Sequence, residues 1–365
     1  MATPQSLTSE LMQRLAGAIT AHGGSIGFEQ FMEMALYTPG LGYYASGRRT
    51  FGRLPARDGS DFVTAPEMTP FFGRAFANQL AQALQVTATN DLWEFGAGSG
   101  ALAEQLLRAL GEQVRRYTIV DVSGALQQRQ RERLQAFGDR VRWLGELPDS
   151  MQGVVLGNEL LDAMPVRLLA RQQGVWHERG VALSPQAGLV WQDRLTDQRP
   201  PLEIAGDQDY LTEIHSQAEG FMRALADRLE RGAAFFIDNG FPEREYYHPQ
   251  RSMGTLMCHR AHRMDGDPLC DIGLKDITAH VNFTGLAVAA QEAGLGVLGY
   301  TSQARFLMNC GLLPLLEGAS VQERVMAQKL LMEHEMGELF KVIGFHAGEP
   351  WPAIGFAQGD RSHAL

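Results

Sequence analysis

Asp91-Leu92-Trp93-Glu94-Phe95-Gly96-Ala97-Gly98-Ser99-Gly100-Ala101-Leu102-Ala103-Glu104-Gln105-Leu106-Leu107 is a short apolar run, a glycine turn and a helical pattern in succession. That order reads as strand, tight loop and helix. Gly96, Gly98 and Gly100 permit positive φ and carry no Cβ to obstruct a ligand approaching the backbone. The helix that follows sets Ala101, Leu102, Gln105 and Leu106 along one side, suited to packing on a sheet, and its first N–H groups face the loop. The segment therefore predicts a nucleotide-type binding turn at a strand end.

Two ligand classes use such a turn. Gly96, Gly98 and Ala101 satisfy the dinucleotide fingerprint G-x-G-x-x-G/A, with Asp121 about 20 residues beyond the loop to accept from a ribose hydroxyl. Glu94 argues the other way, because it would place negative charge beside a pyrophosphate. A carboxylate there suits a cationic ligand instead. S-adenosylmethionine carries an ammonium, a sulfonium and a ribose diol, and E-x-G-x-G-x-G with an acidic residue at the next strand end resembles the cofactor signature of class I methyltransferases. Asp121, closing Tyr117-Thr118-Ile119-Val120-Asp121, would take the ribose hydroxyls. The plain alternative is an ordinary glycine turn with a surface glutamate.

The 365 residues allow two or three domains, and 45% apolar with 20% charged residues describes a soluble globular chain. No apolar run is long enough to span a bilayer. A net charge of −10 argues against a nucleic-acid surface, which needs cationic side chains. Arg48, Arg49, Arg53 and Arg57 form a local exception, read as a solvated loop or as a grip on an acidic partner. Cys258, Cys270 and Cys310 make no paired framework and suit a reducing compartment. With His259 and His262 the first two are zinc-competent types, but their spacing fits no standard zinc pattern, and no metal is expected. The N-terminus has neither a basic start with an apolar block nor arginine enrichment, so a cytoplasmic location is expected.

Helices are expected over residues 1–22 and from Phe28 to Tyr37, the latter stopped by Pro39-Gly40. The glycine-rich passage Gly40 to Pro66 is too long for a plain connection and reads as a lid or wall over a pocket. Thr69 caps a helix that buries Phe72, Phe76, Leu80 and Leu84. Beyond Asp121 strands and helices alternate, which predicts a parallel sheet with ligands at strand carboxyl ends. Arg167 to Asp193 breaks the alternation as an antiparallel insertion, a long helix is expected from Tyr210 to Glu230, and Ala233 to Asp238 reads as the fifth core strand. Later helices near 284–293 and 320–336 and strands near 296–301 and 340–346 complete the sheet. The expectation is an α/β fold with a Rossmann-like class I methyltransferase sheet, divided into an N-terminal helical and lid region (1–86), a core (87–165 and 210–365) and an antiparallel β insertion (166–209).

A second chemical site follows the fourth strand in Gly157-Asn158-Glu159-Leu160-Leu161-Asp162-Ala163-Met164-Pro165-Val166. If a helical turn starts there, Glu159 and Asp162 are i and i+3 and share a face. The bland account is a helix N-terminus with acidic residues favoured by its dipole. The sharper account is a pair of carboxylates beside the cofactor, which suits a cationic acceptor such as a guanidinium with its planar fork of donors.

Ala35-Leu36-Tyr37-Thr38-Pro39 with Gly42-Tyr43-Tyr44, Asp61-Phe62-Val63-Thr64-Ala65-Pro66-Glu67, the glycine loop, Asn158 to Pro165, Phe236-Ile237-Asp238-Asn239-Gly240, Asp276 to Phe283 and Phe340-Lys341-Val342 together resemble the MidA family. The resemblance covers nearly the whole chain. It implies a class I S-adenosylmethionine-dependent methyltransferase, with a mitochondrial member that is a complex I assembly factor and symmetrically dimethylates an arginine. It therefore implies a protein substrate carrying an acceptor arginine. Cofactor contacts are expected from Glu94, Gly96, Gly98, Gly100, Asp121, Asn158 and Thr64, and catalytic roles from Glu159, Asp162 and His280. His280 reads either as an aid to proton removal or as a hydrogen-bonded loop histidine. The family pattern usually has Asp-Tyr-Gly where this chain has Asp238-Asn239-Gly240, and Asp where it has Asn282. Both segments are expected to border the acceptor pocket. Two rivals stay open: a non-catalytic assembly chaperone that keeps the cofactor fold, and a nicotinamide-dependent oxidoreductase. The oligomeric state, a homodimer being one option, is open as well.

Overall fold

A computed structural model describes residues 4–46, 63–186, 188–260 and 263–365. The arginine cluster at 48, 49, 53 and 57, most of the expected lid and His262 lie outside the described residues. In chain order the strands are β1 (Ser25–Gly27), β2 (Asp91–Phe95), β3 (Arg116–Val120), β4 (Val141–Leu144), β5 (Met151–Asn158), β6 (Arg167–Gln172), β7 (Val175–Ser184), β8 (Gly188–Leu195), β9 (Tyr210–Ile214), β10 (Leu229–Phe241), β11 (Met257–Arg260), β12 (Arg263–Asp265), β13 (Asp276–Thr278), β14 (Val281–Asn282), β15 (Gly296–Ser302) and β16 (Phe340–Ala347).

The main sheet has the order β15-β16-β10-β5-β2-β3-β4, with β14 added beside β10. Its members run parallel except β16, which is antiparallel to both β10 and β15. Strands such as Val154-Val155-Leu156 and Ala233 to Ile237 are apolar on both faces because helices cover both. Pro70–Thr87, Ala101–Leu110 and Gln303–Asn309 pack one face, where Phe76, Leu80, Leu106, Phe235 and Phe306 are fully buried. Ser216–Arg228 and Phe283–Glu292 pack the other, around Met222, Leu225, Phe236 and Leu286. This is the Rossmann-like class I fold expected from the sequence. The order of the chain reverses between β2 and β5, so the switch point that such sheets use for ligands lies at the carboxyl ends of β2, β3 and β5.

A second, antiparallel sheet runs β1-β7-β6-β9, with β8 on β7. Leu11, Leu15, Ile19, Phe31 and Leu36 from the two N-terminal helices share one core with Val166, Leu168 and Val181, so the N-terminal helices and the inserted strands bury one another. The helix expected from Tyr210 instead begins at Ser216. Tyr210 to Ile214 is a strand, because Tyr210 and Thr212 bury their side chains while the backbone pairs with β6, and that tertiary pairing overrides a helical pattern. The helix expected over 320–336 covers only Val321–Lys329, opened by a capping box between Ser320 and Glu323, and a π turn follows at Glu333–Gly337. No helix among the described residues is long and apolar enough to cross a membrane.

Candidate active site

One cavity of about 1120 Å³ opens at the switch point. The glycine turn lines it through Gly96, Ala97, Gly98 and Ser99. Gly96 and Gly98 have φ of +65° and +53°, values that side-chain-bearing residues rarely adopt, and a Cβ on Gly96 would stand 2.8 Å from Leu160 Cδ1. Glycine adopts this conformation without strain, and at Gly96 any side chain would also have to displace the end of Leu160. Ser99 donates its hydroxyl to Glu67, and Arg133 Nη1 reaches Glu67 Oε1 at 2.7 Å and Ser99 Oγ at 2.9 Å. This network ties the short helix Ala65–Met68 to the turn. Thr64, at the N-cap of that helix, lines the cavity, as do Tyr44 and Val63 from the described ends of the expected lid.

Glu94 and Asp121 stand at the carboxyl ends of β2 and β3, both buried and both on the cavity wall. Tyr117 donates to Glu94 Oε2 at 2.7 Å, yet burial still pushes the Glu94 carboxyl up to about 7, with Asp121 adding to the rise. Asp121 accepts from the Ser123 amide at 2.9 Å and from Gln130 Nε2 at 2.8 Å, and burial raises it too. Two buried acids flanking a glycine turn are stabilised as anions by a cationic ligand, so these residues fit S-adenosylmethionine and would hold its charged and hydroxyl groups.

Burial of Glu94 has a measurable sign. The acid is protonated in both folded and unfolded chains below its ordinary 4.5, so it costs nothing there. As pH rises from 4.5 to about 7, the unfolded chain gives up this proton while the folded chain keeps it, so stability is lost across that window and levels off above it. Urea denaturation without ligand is expected to show Glu94→Gln gaining about 3 kcal/mol on the wild type between pH 4.5 and pH 8. An unchanged difference across that range would show that Glu94 is well hydrated.

The acceptor end departs from expectation. Residues 159–165 form no helix, so Glu159 and Asp162 are not i and i+3 on a helical face. Glu159 adopts φ +52°, the left-handed region, and its amide donates to Ile237 O at 2.8 Å. The loop is shaped by Asp238, whose Oδ2 accepts from the amides of Leu160, Leu161 and Asp162 at 3.1, 2.7 and 3.4 Å. A buried carboxylate thus replaces the helical hydrogen bonds that the sequence pattern suggests. Glu159 and Asp162 nevertheless both line the cavity.

Asn158 Nδ2 donates to Glu159 Oε1 at 3.0 Å. Burial, then Asp238, push Glu159 up to about 7. Asp162 is raised well above the usual carboxylate range by burial and by Asp238, Asp276 and Glu159. Asp276 is also on the wall, where the Tyr44 hydroxyl reaches both of its oxygens at 2.9 and 2.8 Å. Tyr44 stacks on Tyr37, whose hydroxyl donates to Ala163 O at 2.8 Å, and Ser123 Oγ donates to Tyr44 O at 2.7 Å. Tyr44 therefore spans from the Asp121 end to the acceptor end. Against Glu94, Asp121, Glu159, Asp162 and Asp276, Lys329 is the one lysine or arginine among the described lining residues. His280 lines the cavity with its ring 5.2 Å from Phe241, and burial, with Arg251, Lys341 and His259, lowers it to about 4, so it is neutral at pH 7.

Asp238, Asp276 and Tyr44 appear in the sequence only within quoted motifs. Asp238 had a usable signal, since it closes an apolar strand as Glu94 and Asp121 do; Asp276 follows no periodic segment and had none. Asn239 lines the cavity, but Asn282 does not: it is buried and caps the helix Phe283–Glu292 by accepting from the Gly285 amide at 3.2 Å. An aspartate would cap equally well, so that departure from the family pattern does not bear on the acceptor.

Residues 73–301 match the family described as "Putative S-adenosyl-L-methionine-dependent methyltransferase". A crystal structure of a Burkholderia thailandensis protein bound to S-adenosyl-homocysteine is similar over 100% of this chain and 99% of that one, with a TM-score of 0.95 and 48% identity. The mitochondrial protein arginine methyltransferase NDUFAF7 homologue of Drosophila melanogaster is 25% identical over 394 residues, covering 92% of this chain and 86% of that protein. The homologue from Caenorhabditis elegans is 24% identical over 384 residues, covering 93% and 87%.

Proposed function

The chain belongs to the S-adenosyl-L-methionine-dependent methyltransferase family that its motifs resemble, and from that premise we propose that it methylates an arginine side chain of a protein. The observation that carries the proposal is the cluster of Glu159, Asp162 and Asp276, which line the same cavity as Glu94 and Asp121 and raise one another's proton affinity. Buried like charges disfavour one another until a cation arrives. A guanidinium is permanently charged, and its fork of N–H donors matches carboxylates. The names of the fly and worm relatives support the same acceptor.

The cofactor supplies a methyl group on a sulfonium, with a neutral thioether as leaving group. The chain's own residues have three tasks. Glu159 and Asp162 hold the guanidinium charge on part of the group, so that one nitrogen regains the electron pair with which it attacks. As that nitrogen's bond to the methyl carbon forms and the carbon–sulfur bond breaks, one N–H proton must leave. Glu159, pushed up to about 7, accepts it near neutral pH. Asp238 acts through the loop: by holding three amides it fixes where Glu159 and Asp162 stand, and such alignment supplies much of the acceleration in a displacement reaction.

The test is mass spectrometry of lysate proteins incubated with the full chain and S-adenosylmethionine bearing a deuterated methyl group. Labelled arginine is expected. Label confined to another residue type, or no label above a heat-inactivated control, overturns the proposal.

A further inference from the structure

We propose that Asn158, Asn239 and His280 determine specificity by reading the N–H edges of the acceptor group, an inference that rests on the arginine reading above. Asn158 Oδ1, Asn239 Oδ1 and His280 Nδ1 are each buried without a hydrogen-bond partner. All three residues line the cavity that holds Glu159, Asp162 and Asp276. Buried acceptors without donors are uncommon and costly, and several in residues lining one cavity point to a donor-rich ligand. Other unpaired buried atoms, such as Tyr300 Oη and Trp351 Nε1, belong to residues away from this wall.

The orientation of the Asn158 amide follows from its neighbour. Its Nδ2 donates to Glu159 Oε1, and turning the group would set carbonyl against carboxylate. Asn239 is the last residue of β10 paired with β16, its amide donating to Asp238 Oδ1 at 2.9 Å, so the residue that shapes the acceptor loop also places Asn239. His280 is held through its amide, which donates to Thr255 Oγ1 at 3.0 Å, and its ring stays neutral, so Nδ1 accepts in the tautomer that carries the proton on Nε2.

These three acceptors carry no net charge, so they do not hold a cation. They do count its hydrogens. A guanidinium has five N–H donors in a plane, whereas an ammonium has three around a point. Carboxylates attract both cations; neutral acceptors placed around them satisfy the additional N–H groups of the guanidinium alone. A site built to hydrogen-bond a group discriminates strongly against an analogue that lacks it. The wall therefore selects arginine over lysine, while the carboxylates select cation over neutral acceptor.

The test is calorimetric titration of the full chain, saturated with S-adenosylhomocysteine, using acetyl-Gly-Arg-Gly-amide and acetyl-Gly-Lys-Gly-amide. The wild type is expected to prefer the arginine peptide. Asn239→Leu and His280→Leu should each weaken the arginine peptide about tenfold, as loss of one hydrogen bond does, while leaving the lysine peptide within about twofold. S-adenosylhomocysteine affinity, measured on the same samples, checks that each variant is folded, and Asn239→Ala or His280→Ala replaces a leucine variant that does not fold. Equal weakening of both peptides, or no weakening of either, overturns the specificity role. If Glu159→Gln abolishes arginine-peptide binding while these variants do not, the arginine reading stands and this inference falls. A wild type that binds neither peptide, or prefers the lysine one, overturns both.

Discussion

Glu159→Gln is expected to bind S-adenosylmethionine as the wild type does and to label arginine about a hundredfold more slowly, or worse. Glutamine keeps the length and one carbonyl oxygen, so the bond from Asn158 Nδ2 survives, and with it the local shape of the loop. The backbone at 159 sits at φ +52° in both cases, and Asp238 still holds the three amides that follow. What disappears is the charge. A charge-assisted bond to the guanidinium, of order 3 kcal/mol in a dry site, is lost together with the group that takes the proton. Cofactor affinity by calorimetry and label per arginine by mass spectrometry separate the two effects. Weakened cofactor binding with undiminished transfer at saturating cofactor would place Glu159 in the cofactor site and remove its proposed role.

Gly98→Asp should reduce S-adenosylhomocysteine affinity by about a hundredfold or more, with the fold retained. Aspartate is chosen because short polar side chains tolerate the left-handed region, so φ +53° costs only about 1 kcal/mol. The added side chain and charge enter a turn that lines the cavity beside Glu94 and Asp121, two buried acids that already resist ionisation. Calorimetry reads the affinity, and circular dichroism confirms the fold. Wild-type affinity in a folded variant would show that the ligand does not rest on this turn.

The strand, turn and helix around Gly96 were legible in the sequence because each depends on neighbours within a few residues: apolar residues that form a strand, glycines that permit positive φ, and a helical pattern that packs on the sheet. Glu94 and Asp121 were legible for the same reason, since an acid at the end of an apolar strand has a fixed place in a parallel sheet. The acceptor end was legible only as a motif. Its spacing suggested a helix at Glu159 to Asp162, and nothing local announces that Asp238, from a strand far along the chain, bends that segment into a loop by taking its amides. Nor does local pattern show that Tyr44 and Asp276 meet on the same wall, or that Tyr210 to Ile214 pairs as a strand. Periodicity and turn chemistry act over one or two turns of chain, so the sequence by itself determined the sheet and the cofactor turn. Which carboxylates share a cavity, and which buried acceptors are left for a substrate, was decided by long-range crossovers that only tertiary packing sets.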